Sequence, residues 1–168
     1  MERDAGNYAA AERDLREAYE ALLAMGERGR CASTVTLLAE AAYAQGRLGQ
    51  AQRLTEEAEE LIGTDDDFDA QGRWRATRAK LLARRGQHPA AARLAEEAVA
   101  CVPATGSVPE RAEFLVAQSE VLQLAGALGK AEASLRQALQ FYQDRRMVPL
   151  AERTRAALAS LADQRAPR

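Results

Sequence analysis

Four glycines, Gly6, Gly46, Gly86 and Gly126, stand 40 residues apart in a chain of 168 that contains only 11 glycines. Alanine follows each of them five positions later, at Ala11, Ala51, Ala91 and Ala131, and again twelve positions later, at Ala18, Ala58, Ala98 and Ala138. Alanine is common in this chain, yet eight matches in phase with the glycines establish a repeat, and a period of this size belongs to stacked arrays of small supersecondary units. The length suits one domain with a sizeable core. The expectation is therefore one repeat domain over 1–163: a partial repeat 1–30, repeats 31–66, 67–107 and 108–147, and a capping helix 148–163, with 164–168 as a frayed tail.

A glycine just beyond a helical segment supplies the positive φ that ends the helix and turns the chain. The alanines five and twelve positions on are two helical turns apart, so they share one face and allow close approach of a neighbouring backbone. Leu15, Leu54, Leu94 and Leu135, with Leu22, Ile62, Val102 and Tyr142 near the end of the same segment, complete an apolar stripe. Upstream of the glycines, Val35-Leu38-Ala42, Trp74-Leu81-Leu82 and Phe114-Val121-Leu122 show the recurrence of a first helix. The fold class predicted is all-α: an α-solenoid, a right-handed superhelix of antiparallel helix pairs, with helices over 7–25, 32–45, 48–62, 67–85, 88–102, 109–125, 128–143 and 148–163. Asp65-Asp66-Asp67 marks a capped helix start. Pro103, Gly106, Ser107 and Pro109 mark a loop, and Pro149 opens the last helix.

Composition narrows the partners. Aromatic residues make up only 5% and charged residues 29%, with both signs interspersed and a net charge of -2, so no face is obliged to seek phosphate or anionic lipid. Neither nucleic acid nor membrane is expected as a partner. Cys31 and Cys101 belong to no metal-binding spacing and read as free thiols of a reducing, cytoplasmic compartment.

The glycine with alanine at +5 and +12, preceded by a small residue seven positions earlier (Ala39, Ala79, Ser119), resembles the tetratricopeptide-repeat signature over nearly the whole chain. The 40-residue period is longer than that family's usual 34 and overlaps the HEAT and armadillo range. The Gly-x4-Ala-x6-Ala spacing favours the tetratricopeptide reading, although Arg78 and Gln118 stand where the family places leucine. The stretches from Leu38 to Arg47, Trp74 to Gly86 and Glu120 to Gly126 look like the C-terminal repeats of large bacterial regulators. Those proteins carry a class III cyclase or a LuxR-type DNA-binding domain together with an ATPase module. The resemblance implies a non-catalytic protein-binding or scaffolding module of a signalling or transcription-regulatory protein. It further implies a binding groove lined by first helices, here Glu40, Tyr43, Arg73, Lys80, Arg84, Glu113, Glu120 and Gln123. With the middle repeat cationic and its neighbours acidic, a peptide with an acidic centre is the expected ligand.

Motifs of chemistry are missing from the sequence. There is no phosphate-binding glycine loop, and the single histidine, His88, has no evident nucleophile partner. Asp65, Asp67 and Asp69 lack the glycine and the acid that a calcium loop needs at Ala70 and Ala76. No cofactor, metal or catalytic residue is expected. Two other readings compete with protein binding: a helical-repeat RNA binder, which needs a basic groove, and an enzyme, for which no constellation exists. Gly6 occupies a turn that should follow a first helix, so the helix after it is expected to leave Leu15, Ala18 and Leu22 uncovered. That face could dock a neighbouring domain or a second copy.

Overall fold

The structure is a computed structural model that describes residues 8–62, 67–102 and 109–165. These residues form eight helices and no strand: α1 (Tyr8–Ala24), α2 (Arg28–Ala44), α3 (Leu48–Ile62), α4 (Phe68–Arg84), α5 (His88–Ala100), α6 (Pro109–Leu124), α7 (Leu128–Asp144) and α8 (Val148–Arg165). The all-α repeat predicted from the glycine spacing is present. Gly46, Gly86 and Gly126 adopt φ of 74°, 76° and 73° directly after α2, α4 and α6, while Gly6 lies outside the described residues.

Most boundaries shift from expectation by one or two residues, and one shifts by four. α2 begins at Arg28 rather than 32 because Gly26, at φ 72°, makes the same left-handed turn between α1 and α2. α8 runs through Gln164 to Arg165, so the start of the expected tail continues the helix. Between α7 and α8 the turn is made by Arg146 at φ 55°, without a glycine. From Gly26 to Gly46 and from Gly126 to Arg146 the chain advances 20 residues, a 17-residue helix and a three-residue turn, half of the 40-residue period.

Each of these turns is closed by the same pair of bonds. After α2, Gly46 N–H donates to Tyr43 O (2.9 Å) and Arg47 N–H to Ala42 O (2.9 Å). This Schellman arrangement satisfies carbonyls that the end of a helix would leave free. At the start of α4, Asp67 Oδ1 accepts the backbone N–H groups of Asp69 (3.1 Å) and Ala70 (3.0 Å), the capping expected of the aspartate run. The remainder of that run lies outside the described residues.

Two compact units divide the chain, Met1–Arg78 and Ala79–Arg168, and the division falls inside α4. In the first, α1 packs on α2 and α2 on α3. A core cluster joins Ala32 and Val35 of α2 with Ala58 and Ile62 of α3 and Ala70 of α4, flanked by Leu54 and the half-buried Trp74. In the second, α5 packs on α6, α6 on α7 and α7 on α8. Its clusters are Ala79, Ala83, Ala91, Ala95 and Val121, and Leu122, Ala131, Leu135 and Leu161. Ala51, Ala58, Ala91, Ala98, Ala131 and Ala138 are all wholly buried, so the repeat alanines mark where helices come closest. Buried Thr36, Thr55 and Thr154 return their hydroxyls to carbonyls of their own helices at 2.8 Å, which keeps the core free of their polar cost. Among the described residues, no helix is long and apolar enough to cross a membrane.

Candidate functional site

The residues expected to line a binding surface fall into two groups. In the first unit, α2 and α4 are joined side by side through polar contacts between residues 33 or 34 positions apart. Ser33 Oγ donates to Asp67 Oδ2 at 2.7 Å, and Arg73 Nη1 lies 3.3 Å from Glu40 Oε2. Arg73 also reaches Asp69 on its own helix, with Nε 2.8 Å from Oδ1. Its side chain is only 9% exposed, and two carboxylates offset its charge. Tyr43 is buried at the end of α2. Arg73 and Tyr43 therefore hold this face together rather than standing open on it.

In the second unit the corresponding side chains are more open. Arg84 of α4 and Glu120 of α6 approach to 3.5 Å with 46% and 38% of their side chains exposed. One turn further along α6, Gln123 donates from Nε2 to Ser119 Oγ at 3.1 Å. Lys80 and Glu113 are half-buried, and both take part in interactions of their own. Because Arg73 and Arg84 each face a glutamate of the neighbouring first helix, the cationic strip that suggested an acidic ligand is compensated within the chain.

At the N-terminal face, Leu15 is half-buried and Ala18 exposed, whereas Leu22 is buried and withdrawn from any docking surface. Leu23 and Met25 at the end of α1 are exposed instead. Sequence reasoning also missed a polar clasp on α1. Arg47, in the turn between α2 and α3, donates through Nη1 (3.1 Å) and Nη2 to the Glu12 carboxylate, which Gln45 and Arg16 also contact. Those bonds, Arg47's foremost, hold the Glu12 carboxyl at about 2, far below its ordinary 4.5. Tyr19 donates its hydroxyl to Glu57 of α3, and burial, followed by that bond, pushes its phenol above the usual range. The partners are 35 and 38 residues apart, so no local spacing announces them.

The two departures from the tetratricopeptide pattern are met by polar partners. Gln118 Oε1 accepts the Ser134 hydroxyl at 2.9 Å, and Arg78 Nη1 lies 3.7 Å from Glu56 and 4.0 Å from Glu59. His88 is the first residue of α5, and Trp74 carries the Arg75 guanidinium 4.8 Å from its ring centroid. Cys31 and Cys101 are free thiols.

No family model matches the chain, and comparison with the curated proteins finds no match. Among solved structures, the crystal structure of BtubC (BKLC) from P. vanneervenii is similar to it, with a TM-score of 0.66 and 20% identity over 94% of this chain. The chain spans 65% of that protein's length. At this identity the likeness shows the helical-repeat fold.

Proposed function

We propose that the chain is a non-catalytic protein- or peptide-binding scaffold of the tetratricopeptide class, the repeat region of a bacterial signalling or transcription-regulatory protein acting in the cytoplasm. The observation that carries this reading is the open pairing of Arg84 with Glu120 beside Gln123, on successive first helices of the second unit. Polar side chains on adjacent first helices, over a core of small residues, present a ligand with a row of contacts. An extended or helical peptide matches such a row. The well-packed Arg73 cluster supplies a rigid support in the first unit rather than a contact surface.

A displayed random-peptide library tests the proposal. Peptides selected by the parent protein should bind about tenfold or more weakly to Arg84→Glu and to Glu120→Arg, since each change leaves like charges facing on the contact surface. The double variant restores the ion pair and the thermal midpoint but should not restore binding. If no peptide rises above background, or if selected peptides bind all variants equally, these first helices are not a recognition surface.

A further inference from the structure

One face of α6 differs from its counterparts in the repeat. Glu113, Val116, Glu120 and Leu124 follow one another at intervals of three or four residues and so share that face. Thr36 of α2 and Ala76 of α4 hold the place of Val116 and are buried, whereas Val116 is half-buried and rests on the core around Leu122 and Leu135. Ala44 and Arg84 hold the place of Leu124 and, like it, are exposed. That place is open in α2, α4 and α6 alike, and in α6 it receives a leucine that is 39% exposed. Charge is divided across the same surface. Beside the two glutamates of α6, α4 supplies Lys80 and Arg84, four residues apart on one side of that helix, and Arg84 Nη2 lies 3.5 Å from Glu120 Oε1. A ligand with acidic residues alone gains at the α4 cations and loses at the α6 carboxylates, and one with basic residues alone does the reverse. An ion pair this exposed contributes little to the fold, so both of its members can exchange partners with a ligand.

We propose that this face binds an amphipathic helix of another protein, with its apolar stripe on Val116 and Leu124. Basic residues along one flank of that helix meet Glu113 and Glu120, and acidic residues along the other meet Lys80 and Arg84. Geometry favours a helix over a strand. A strand has two faces, and this surface asks for three kinds of residue side by side, which the circumference of a helix carries. Val116 and Leu124 are eight residues apart, about 12 Å along α6, a distance that apolar residues seven or eight apart on a bound helix also span. The inference rests on the peptide-binding reading above and adds to it the ligand's shape, its apolar anchors and its balance of charge.

Synthetic copies of the peptides that the full chain selects from a displayed random library test it. They should carry two apolar residues seven or eight positions apart together with both acids and bases, and gain helical circular dichroism on binding. Serine in place of either apolar residue, or Leu124→Ser in the protein, should weaken binding about tenfold or more. The protein's thermal midpoint should stay where it is, because Leu124 is exposed. The double variant Arg84→Glu, Glu120→Arg should prefer peptides in which the acid meeting Arg84 and the base meeting Glu120 are exchanged, a reversal that loss of folding cannot produce. Bound peptides of a single charge sign, binding without a gain of helix, or binding indifferent to Leu124→Ser would each overturn this inference and leave peptide recognition standing. A library that yields no binder overturns both.

Discussion

Among the described residues, five hold the left-handed conformation, Gly26, Gly46, Gly86, Gly126 and Arg146, and only the last has a side chain. A β-carbon at Gly86 would meet no atom within 4 Å, so any penalty there is backbone strain alone. Gly86→Ala is expected to cost about 1 to 2 kcal/mol and Arg146→Gly to gain up to about 1 kcal/mol, the entropy of an added glycine taking back part of the relief. Opposite shifts of the thermal midpoint would show that the five turns are energetically alike, and a fall for Arg146→Gly would contradict it. The Glu12 clasp makes a second residue-scale prediction. Its carboxyl is depressed from 4.5 to about 2 on folding, so its contribution is complete above about pH 4.5 and drains away as pH falls toward 2. Glu12→Gln should lower the melting temperature at neutral pH, with the gap to the parent closing over that acid window. A gap that is constant with pH would mean the bond to Arg47 adds nothing to stability.

At the scale of the helix, the same alanine has different duties in different places. Ala98 of α5 is wholly buried and Ala18 of α1 is exposed, although both occupy the same place in the repeat. Leucine at Ala98 should cost about 1 to 3 kcal/mol through overpacking. Leucine at Ala18 should change the stability of the monomer by less than about 0.5 kcal/mol, and denaturant titration of the two variants compares them directly. The helices themselves were legible in the sequence because Gly46, Gly86 and Gly126 mark one class of turn and the alanines phase the helix that follows. The other class was not, since Gly26 is matched 120 residues later by Arg146 and the half-step of 20 has no consistent residue type to announce it. The surface was legible only in part. The bond from Arg73 to Asp69 follows from helical spacing, but that from Arg73 to Glu40 depends on how two turns place successive first helices. Arg73 therefore read as an open contact where it is in fact enclosed. Burial of Leu22 beside an exposed Ala18 likewise depends on which helices cover α1, information that no periodicity contains.

For the molecule as a whole, the packing of α1 on α2 and α2 on α3 in the first unit, and of α5 on α6, α6 on α7 and α7 on α8 in the second, makes the stability of each unit close to a sum over neighbours. A block of one period should therefore be removable. Deleting residues 47–86 joins Gly46 to Gln87, so α2 would run through the same left-handed glycine into α5, whose Ala91 and Ala98 occupy the places of Ala51 and Ala58. The shortened chain is expected to keep its helicity per residue and melt cooperatively at a lower temperature. Loss of helical circular dichroism would show that the pairs are not interchangeable. The closing bonds from residue 46 to Tyr43 and from residue 47 to Ala42 recur at every short turn, so each joint is a standard coupling, blind to which helix it receives. A gene with such couplings can change the reach of its product by unequal recombination in whole steps, without inventing a new junction. Length then becomes the heritable variable, and the chemistry of the joint the constant.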